Sequence, residues 1–248
     1  MGNNSERRKN MPVCIGNNYK LSRKANVLQS AIGQHFDSKP IKRRIAFCVA
    51  IAVVLTDVLI YMWAYGESVR LSLALIAFAI IVYLADGDLP SLGLRPQPKQ
   101  GWIPWVWISA RISCVIAVCV IAGLGAWQLM GNELPTYNHN PAYVSHLFLH
   151  MCVVAPVLEE IVYRVVVCLP LVSMIGFWKT IAINGILFAS LHFVYGNPSP
   201  ENLVGGFFLA WVYLKSETIL LPLMFHSIGN FVALCCQLAA SYYLHPTG

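Results

Sequence analysis

Three stretches of this chain set groups fit for acid–base chemistry inside otherwise apolar sequence. The first, Ala155-Pro156-Val157-Leu158-Glu159-Glu160-Ile161-Val162-Tyr163-Arg164, places two carboxylates and a guanidinium among aliphatic side chains. Glu160 and Arg164 are four apart, so on a helix they share a face and pair. Glu159 lies about 100° further round that helix, so one carboxylate is held by Arg164 and the other is left for chemistry. The second stretch spaces Asn184, Phe188 and His192 by four, which lines an amide, an aromatic ring and an imidazole along one stripe. The third holds His226 and Asn230, again four apart. A carboxylate with two imidazoles suits hydrolysis. Glu159 can serve as general base on a water, the histidines can share that water or hold Zn²⁺, and His226 with Asn230 can donate to a developing oxyanion. The chain has no G-x-S-x-G and no H-E-x-x-H motif.

These residues need elements to bring them together, and composition says which. Of 248 residues, 57% are hydrophobic and 11% charged, against roughly 25% charged in an ordinary soluble domain. That excludes a soluble enzyme, a disordered chain and a disulfide-rich secreted module, and leaves an all-α, polytopic transmembrane helical bundle. With about 20 apolar residues per crossing, the chain divides into seven candidate spans near 45–65, 69–85, 103–127, 143–169, 178–195, 201–216 and 219–241, the fifth and sixth of them short. At 1.5 Å per residue, Glu159, His192 and His226 lie about 15, 20 and 10 Å from the cytoplasmic ends of their spans. One shared site in the middle to cytoplasmic half of the bilayer is compatible with those depths.

Residues 1–44 hold ten of the 17 Lys and Arg against Glu6 and Asp37, which makes them a basic tail. Ahead of the first span, such a tail reads as a cytoplasmic anchor drawn to anionic lipid; it has no aromatic interleaving and no nucleic-acid motif follows it. Arg95, Lys99, Lys179 and Lys215 fall on the same side, whereas Arg70 sits at an outward turn and counts against that orientation. Trp102, Trp105, Trp107 and Trp178 are expected at the cytoplasmic interface and Trp127 at the outer one. The eight cysteines form no CxxC pair and read as reduced residues of the membrane core. Taken alone, several polar residues have plainer readings: Glu160–Arg164 as a structural ion pair, His192 as a core histidine and Asn230 as interhelical glue. Asp57 and Arg111 read as interfacial or locally paired, and His146 and His150 as structural. The expected organisation is a basic tail over 1–44, two N-terminal spans over 45–88 and a catalytic core over 89–248.

Together, Glu-Glu-x-x-x-Arg, Phe-x-x-x-His and His-x-x-x-Asn, each in its own apolar segment and in this order, resemble the motifs of the CAAX protease and bacteriocin-processing (CPBP, or Abi) family of intramembrane endopeptidases. The resemblance covers about residues 90–240 and includes Leu92-Gly93-Leu94-Arg95. It implies a helical bundle with a conical cavity open to the cytoplasmic side, in which Glu159 activates water and Glu160 is held by Arg164. It further implies that His192 completes the water or metal site and that His226 and Asn230 stabilise the oxyanion or bind metal. A zinc ion on Glu159, His192 and His226 and a metal-free, glutamate-dependent mechanism are both open. The implied partners are a peptide or lipidated protein substrate and membrane lipid, with no nucleic acid, and the implied location is a bacterial inner membrane with the N-terminus cytoplasmic. A proton-coupled transporter is the rival from another class, although no internal repeat supports it; a non-catalytic scaffold or self-immunity protein is a third.

Overall fold

The computed structural model describes residues 32–63, 66–131, 143–196 and 200–244, so most of the basic tail lies outside the described residues. Everything regular among them is helical. Seven principal helices follow in order: α1 Pro40–Met62, α2 Glu67–Leu84, α3 Trp102–Leu129, α4 over residues 144–175, α5 Phe177–Val194, α6 Pro200–Ser216 and α7 Leu220–Leu244. Each overlaps one of the expected spans, and α4 runs past the end expected at 169. Four stretches among the described residues are long and apolar enough to cross a membrane: Pro40–Met62, Trp102–Leu129, Phe177–Val194 and Leu220–Ala239. In α2 the apolar stretch Ser68–Leu84 is shorter, and α4 carries charges in its middle. The all-helical membrane architecture is therefore as expected, with four rather than seven helices meeting the full measure of a span.

The interruptions in α4 have a readable cause. Two π-helical stretches, His150–Val154 and Ile161–Cys168, enclose the α-helical turn Ala155–Glu160. Each ends just before a proline, Pro156 or Pro170. A proline inside a helix has no N–H to give and its ring presses on the carbonyl four residues back, here those of Cys152 and Val166. Widening the preceding turn relieves that clash, and single π turns gather at functional sites. The two glutamates thus sit on a short regular turn between two widened ones.

Packing is closest around α5 and α6. A Cβ added at Gly185 would stand 2.4 Å from the Phe207 ring, and one at Gly206 would stand 2.6 Å from Phe188 Cβ. Small residues at such crossings let membrane helices approach, and here they press α6 onto the stripe that carries Phe188. The Leu92-Gly93-Leu94-Arg95 segment is stitched to the α6–α7 turn. Tyr213 Oη donates to the Leu92 carbonyl at 2.7 Å, the Ile219 amide to Gly93 at 2.8 Å and the Lys99 amide to Ser216 at 2.9 Å. Gly93 has φ +69° and a Cβ there would lie 2.7 Å from the Tyr213 ring, so only glycine fits.

Helix α3 stands apart. Its residues Ile103, Val106, Val115, Val118 and Ile121 are exposed, as on a lipid-facing helix. It is held through Trp105, which is buried against Trp211, Val212 and Leu221. Trp105 is therefore a packing residue and not the interfacial anchor expected, whereas Trp102, Trp107, Trp127 and Trp178 are exposed. The seven described cysteines are free thiols.

The two ends of the bundle differ in charge. One gathers the start of α1, the α2–α3 loop, the α4–α5 junction and the α6–α7 turn, joined by bonds such as Arg43 to the Ser173 carbonyl at 3.3 Å. Lys39, Lys42, Arg43, Arg44, Arg95, Lys99, Lys179 and Lys215 all belong to this end. Lys39 and Lys42 both pair with Asp86 there and hold its carboxyl well below the usual carboxylate range. The other end, where α1 meets α2 and α5 finishes, is marked by Asp57, Tyr61, Arg70 and Tyr195, with the two tyrosine rings 4.6 Å apart.

Candidate active site

Glu160 and Arg164 form the buried floor of the site. Both are fully inaccessible, and Arg164 Nε donates to Glu160 Oε2 at 2.7 Å across one helical turn. The spare donors of the guanidinium are also used: Nη1 reaches Asn184 Oδ1 on α5 and, at 3.4 Å, the Gly206 carbonyl on α6. Asn184 Nδ2 returns to α4 by donating to the Tyr163 carbonyl at 2.9 Å. A buried charge pair is tolerable only when its remaining donors and acceptors are filled, and here three helices fill them. The other Glu160 oxygen accepts from His226 Nδ1 on α7 at 2.9 Å.

That contact fixes the imidazole. Glu160 can only accept, so the proton of His226 lies on Nδ1 and Nε2 points the other way. His192 is fixed likewise, since its Nδ1 lies 3.0 Å from the Phe188 carbonyl, which can only accept. Phe188 stacks on the His192 ring at 4.2 Å and closes its face. Both Nε2 atoms then look at one atom, Glu159 Oε2, from 3.7 Å (His192) and 3.8 Å (His226). Those separations are too long for hydrogen bonds. Glu159 Oε2 is buried and has no hydrogen-bond partner among the described residues. Two ring nitrogens and a carboxylate oxygen thus face a common gap, each supported from behind.

Of the six residues singled out from sequence, the structure brings Glu159, Glu160, Arg164, His192 and His226 into one continuous set of contacts. Asn230 is placed beside it: its Nδ2 donates to the Met151 carbonyl at 2.8 Å and ties α7 to the first widened turn of α4. No group of three or more His, Cys, Asp or Glu among the described residues is gathered as a metal site. The donor types around the gap nevertheless fit zinc, being two imidazoles with hydrogen-bonded outer nitrogens and a carboxylate.

Two residues join the site that motif reasoning left out. A cavity of about 50 Å³ borders Glu159 and is lined by Arg70, His150, Val154, Ala155 and Leu158 as well. Asp57 does form a local pair, with Arg70, at 2.7 and 2.9 Å, and Tyr195 Oη donates to the same carboxylate. The available signal was two opposite charges, Asp57 and Arg70, flanking one inter-helix turn inside apolar sequence. Arg70 and His150 lie toward the end opposite the basic one, so this cavity and the basic start of α1 lie toward opposite ends.

The fold and site define a membrane-embedded helical protein with a carboxylate–imidazole centre. Residues 141–232 match a family model described as Rce1-like, type II CAAX prenyl endopeptidase. The matched segment carries all three motifs and agrees with the resemblance read from them, and the family is one of proteases. Helices α1 to α3 lie outside it. No match was found among curated proteins or solved structures.

Proposed function

We propose that this chain is an intramembrane endopeptidase that hydrolyses a peptide bond of a prenylated CAAX-type substrate or of a membrane-associated leader or signalling peptide, with Glu159 activating the water. One observation carries the reading: Glu159 Oε2, buried and unpartnered, is faced by His192 Nε2 and His226 Nε2 at 3.7 and 3.8 Å. A water placed among the three would meet three acceptors with only two protons. The count closes when one of the three groups carries a further proton, or when a cation sits there. Glu159 takes a proton from the water as its oxygen attacks the peptide carbonyl. The tetrahedral oxyanion collapses, the C–N bond breaks, and the proton passes to the leaving amine, giving a carboxylate and an ammonium. A bound zinc would be held by Glu159, His192 and His226 and would add Lewis acidity.

The test is cleavage of a membrane-peptide library by purified, folded protein. Glu159→Ala and His192→Ala are each expected to abolish cleavage, while a scaffold or transporter predicts none in the parent protein. Elemental analysis beside a chelator titration answers the zinc question: full activity in metal-free protein removes the metallopeptidase reading.

A further inference from the structure

We infer that Tyr195 is a positioning residue for His192, and that the buried Asp57–Arg70 pair serves the site by holding the Tyr195 hydroxyl. The part of His192 in hydrolysis rests on the reading above; its positioning does not. His192 stands in the last turn of α5, which ends at Val194. Helix ends fray, because their last carbonyls find no partner further along the helix, so an imidazole needed at a fixed point requires that turn to be tied down. Its bond from Nδ1 to the Phe188 carbonyl at 3.0 Å lies within the same helix and moves with it. Tyr195 supplies a tie from outside. Its amide closes the final turn on the Leu191 carbonyl at 2.8 Å, its ring packs against the cluster of Tyr163, Phe188 and Leu191, and its Oη donates to Asp57 Oδ2 on α1. Phe188 of that cluster is the residue that stacks on His192 at 4.2 Å. Every step from Asp57 to the imidazole is thus a contact or a bond.

A buried carboxylate and guanidinium inside apolar spans are unfavourable on insertion. Arg70 answers the Asp57 charge by clamping it at 2.7 and 2.9 Å, and its guanidinium lies over the Tyr195 ring at 4.9 Å. The plainer reading is that the pair only joins α1 to α2. That junction needs Asp57 and Arg70 alone, whereas the hydroxyl and the ring of Tyr195 extend the same network to the helix that carries His192. Asp57 and Arg70 lie outside residues 141–232, so the α1–α2 hairpin gains a part in the site.

The experiment compares parent protein, Tyr195→Phe, the apolar double variant Asp57→Leu/Arg70→Leu, the triple variant that combines them, and Tyr83→Phe as a control at an exposed tyrosine. Cleavage kinetics are read beside the imidazole nitrogen signals of ¹⁵N-histidine-labelled protein, with those of His192 assigned from His192→Ala. Tyr195→Phe keeps the ring and removes only the hydroxyl. It is expected to lower kcat by about 10- to 10²-fold with KM nearly unchanged. It is also expected to replace the Nδ1–H tautomer of His192 by an average of tautomers, while His226, held by Glu160, keeps its own. The double variant strands no charge, so it is expected to hold the parent's thermal midpoint and still show the kcat and the His192 signal of Tyr195→Phe; the triple variant is expected to lose no more. Unchanged kcat or an unchanged His192 signal in Tyr195→Phe would overturn the inference. So would a loss confined to KM, which marks contact with substrate, or parent-like kcat in the double variant. Inactive parent protein, or cleavage by Glu159→Gln, refutes the hydrolytic reading instead, and the His192 signal then decides the positioning alone.

Discussion

Glu160 and Arg164 are the residues whose removal the structure tolerates least. Each fills donors or acceptors on other helices, so truncating one strands the other's charge without water. Breaking a buried pair in this way costs about 3–5 kcal/mol, and Arg164→Ala is expected to lower the unfolding midpoint in detergent accordingly. Arg164→Met paired with Glu160→Gln is expected to recover much of that loss but none of the cleavage, because His226 would lose the carboxylate that orients it. Equal melting of the single and double variants would mean that the pair does not bear on stability. Residues of this kind were legible in the sequence because charge is so scarce in it: two adjacent glutamates and an arginine in an apolar run stand out. Arg70 was not legible in the same way. Its pairing with Asp57 depends on how α1 and α2 fold back on each other, and its place beside Glu159 depends on how α2 meets α4. Neither fact is encoded in a local spacing.

At the scale of elements, the site is held by a close approach and by a distortion. Gly206 lets α6 rest on Phe188, and Phe188 in turn covers His192 and offers it a carbonyl. Gly206→Ala is expected to cost about 1–3 kcal/mol through overpacking and to reduce kcat by displacing the imidazole. Gly229→Ala, where an added Cβ meets nothing within 4 Å, is the matched control. The order and approximate extent of the helices could be read from apolar run lengths. The widened turns of α4 escaped that reading, although Pro156 and Pro170 announce them, because hydropathy registers how apolar a stretch is and not how its turns are wound. Trp105 escaped for a related reason: an aromatic near a helix end is an anchor or a packing residue according to what faces it, here Trp211.

At the scale of the whole molecule, the eight lysines and arginines of one end and the cavity at the other define a direction. By the positive-inside rule we expect the basic end to face the cytoplasm. In a background with Cys14, Cys48, Cys114, Cys119, Cys235 and Cys236 changed to serine, Lys179→Cys is expected to react with an impermeant thiol reagent only from the cytoplasmic face. Ser68→Cys, near Arg70, is expected to react only from the other. The reverse pattern would show that tail charge does not govern insertion here. The polarity also bears on timing in the cell. If the Glu159 cavity is reached only from the end opposite the basic one, an exported leader peptide meets the enzyme only after crossing the bilayer, while a prenylated CAAX-type protein on the cytoplasmic face never meets it. The two substrate classes are then separated by whether blocking export leaves the precursor uncut.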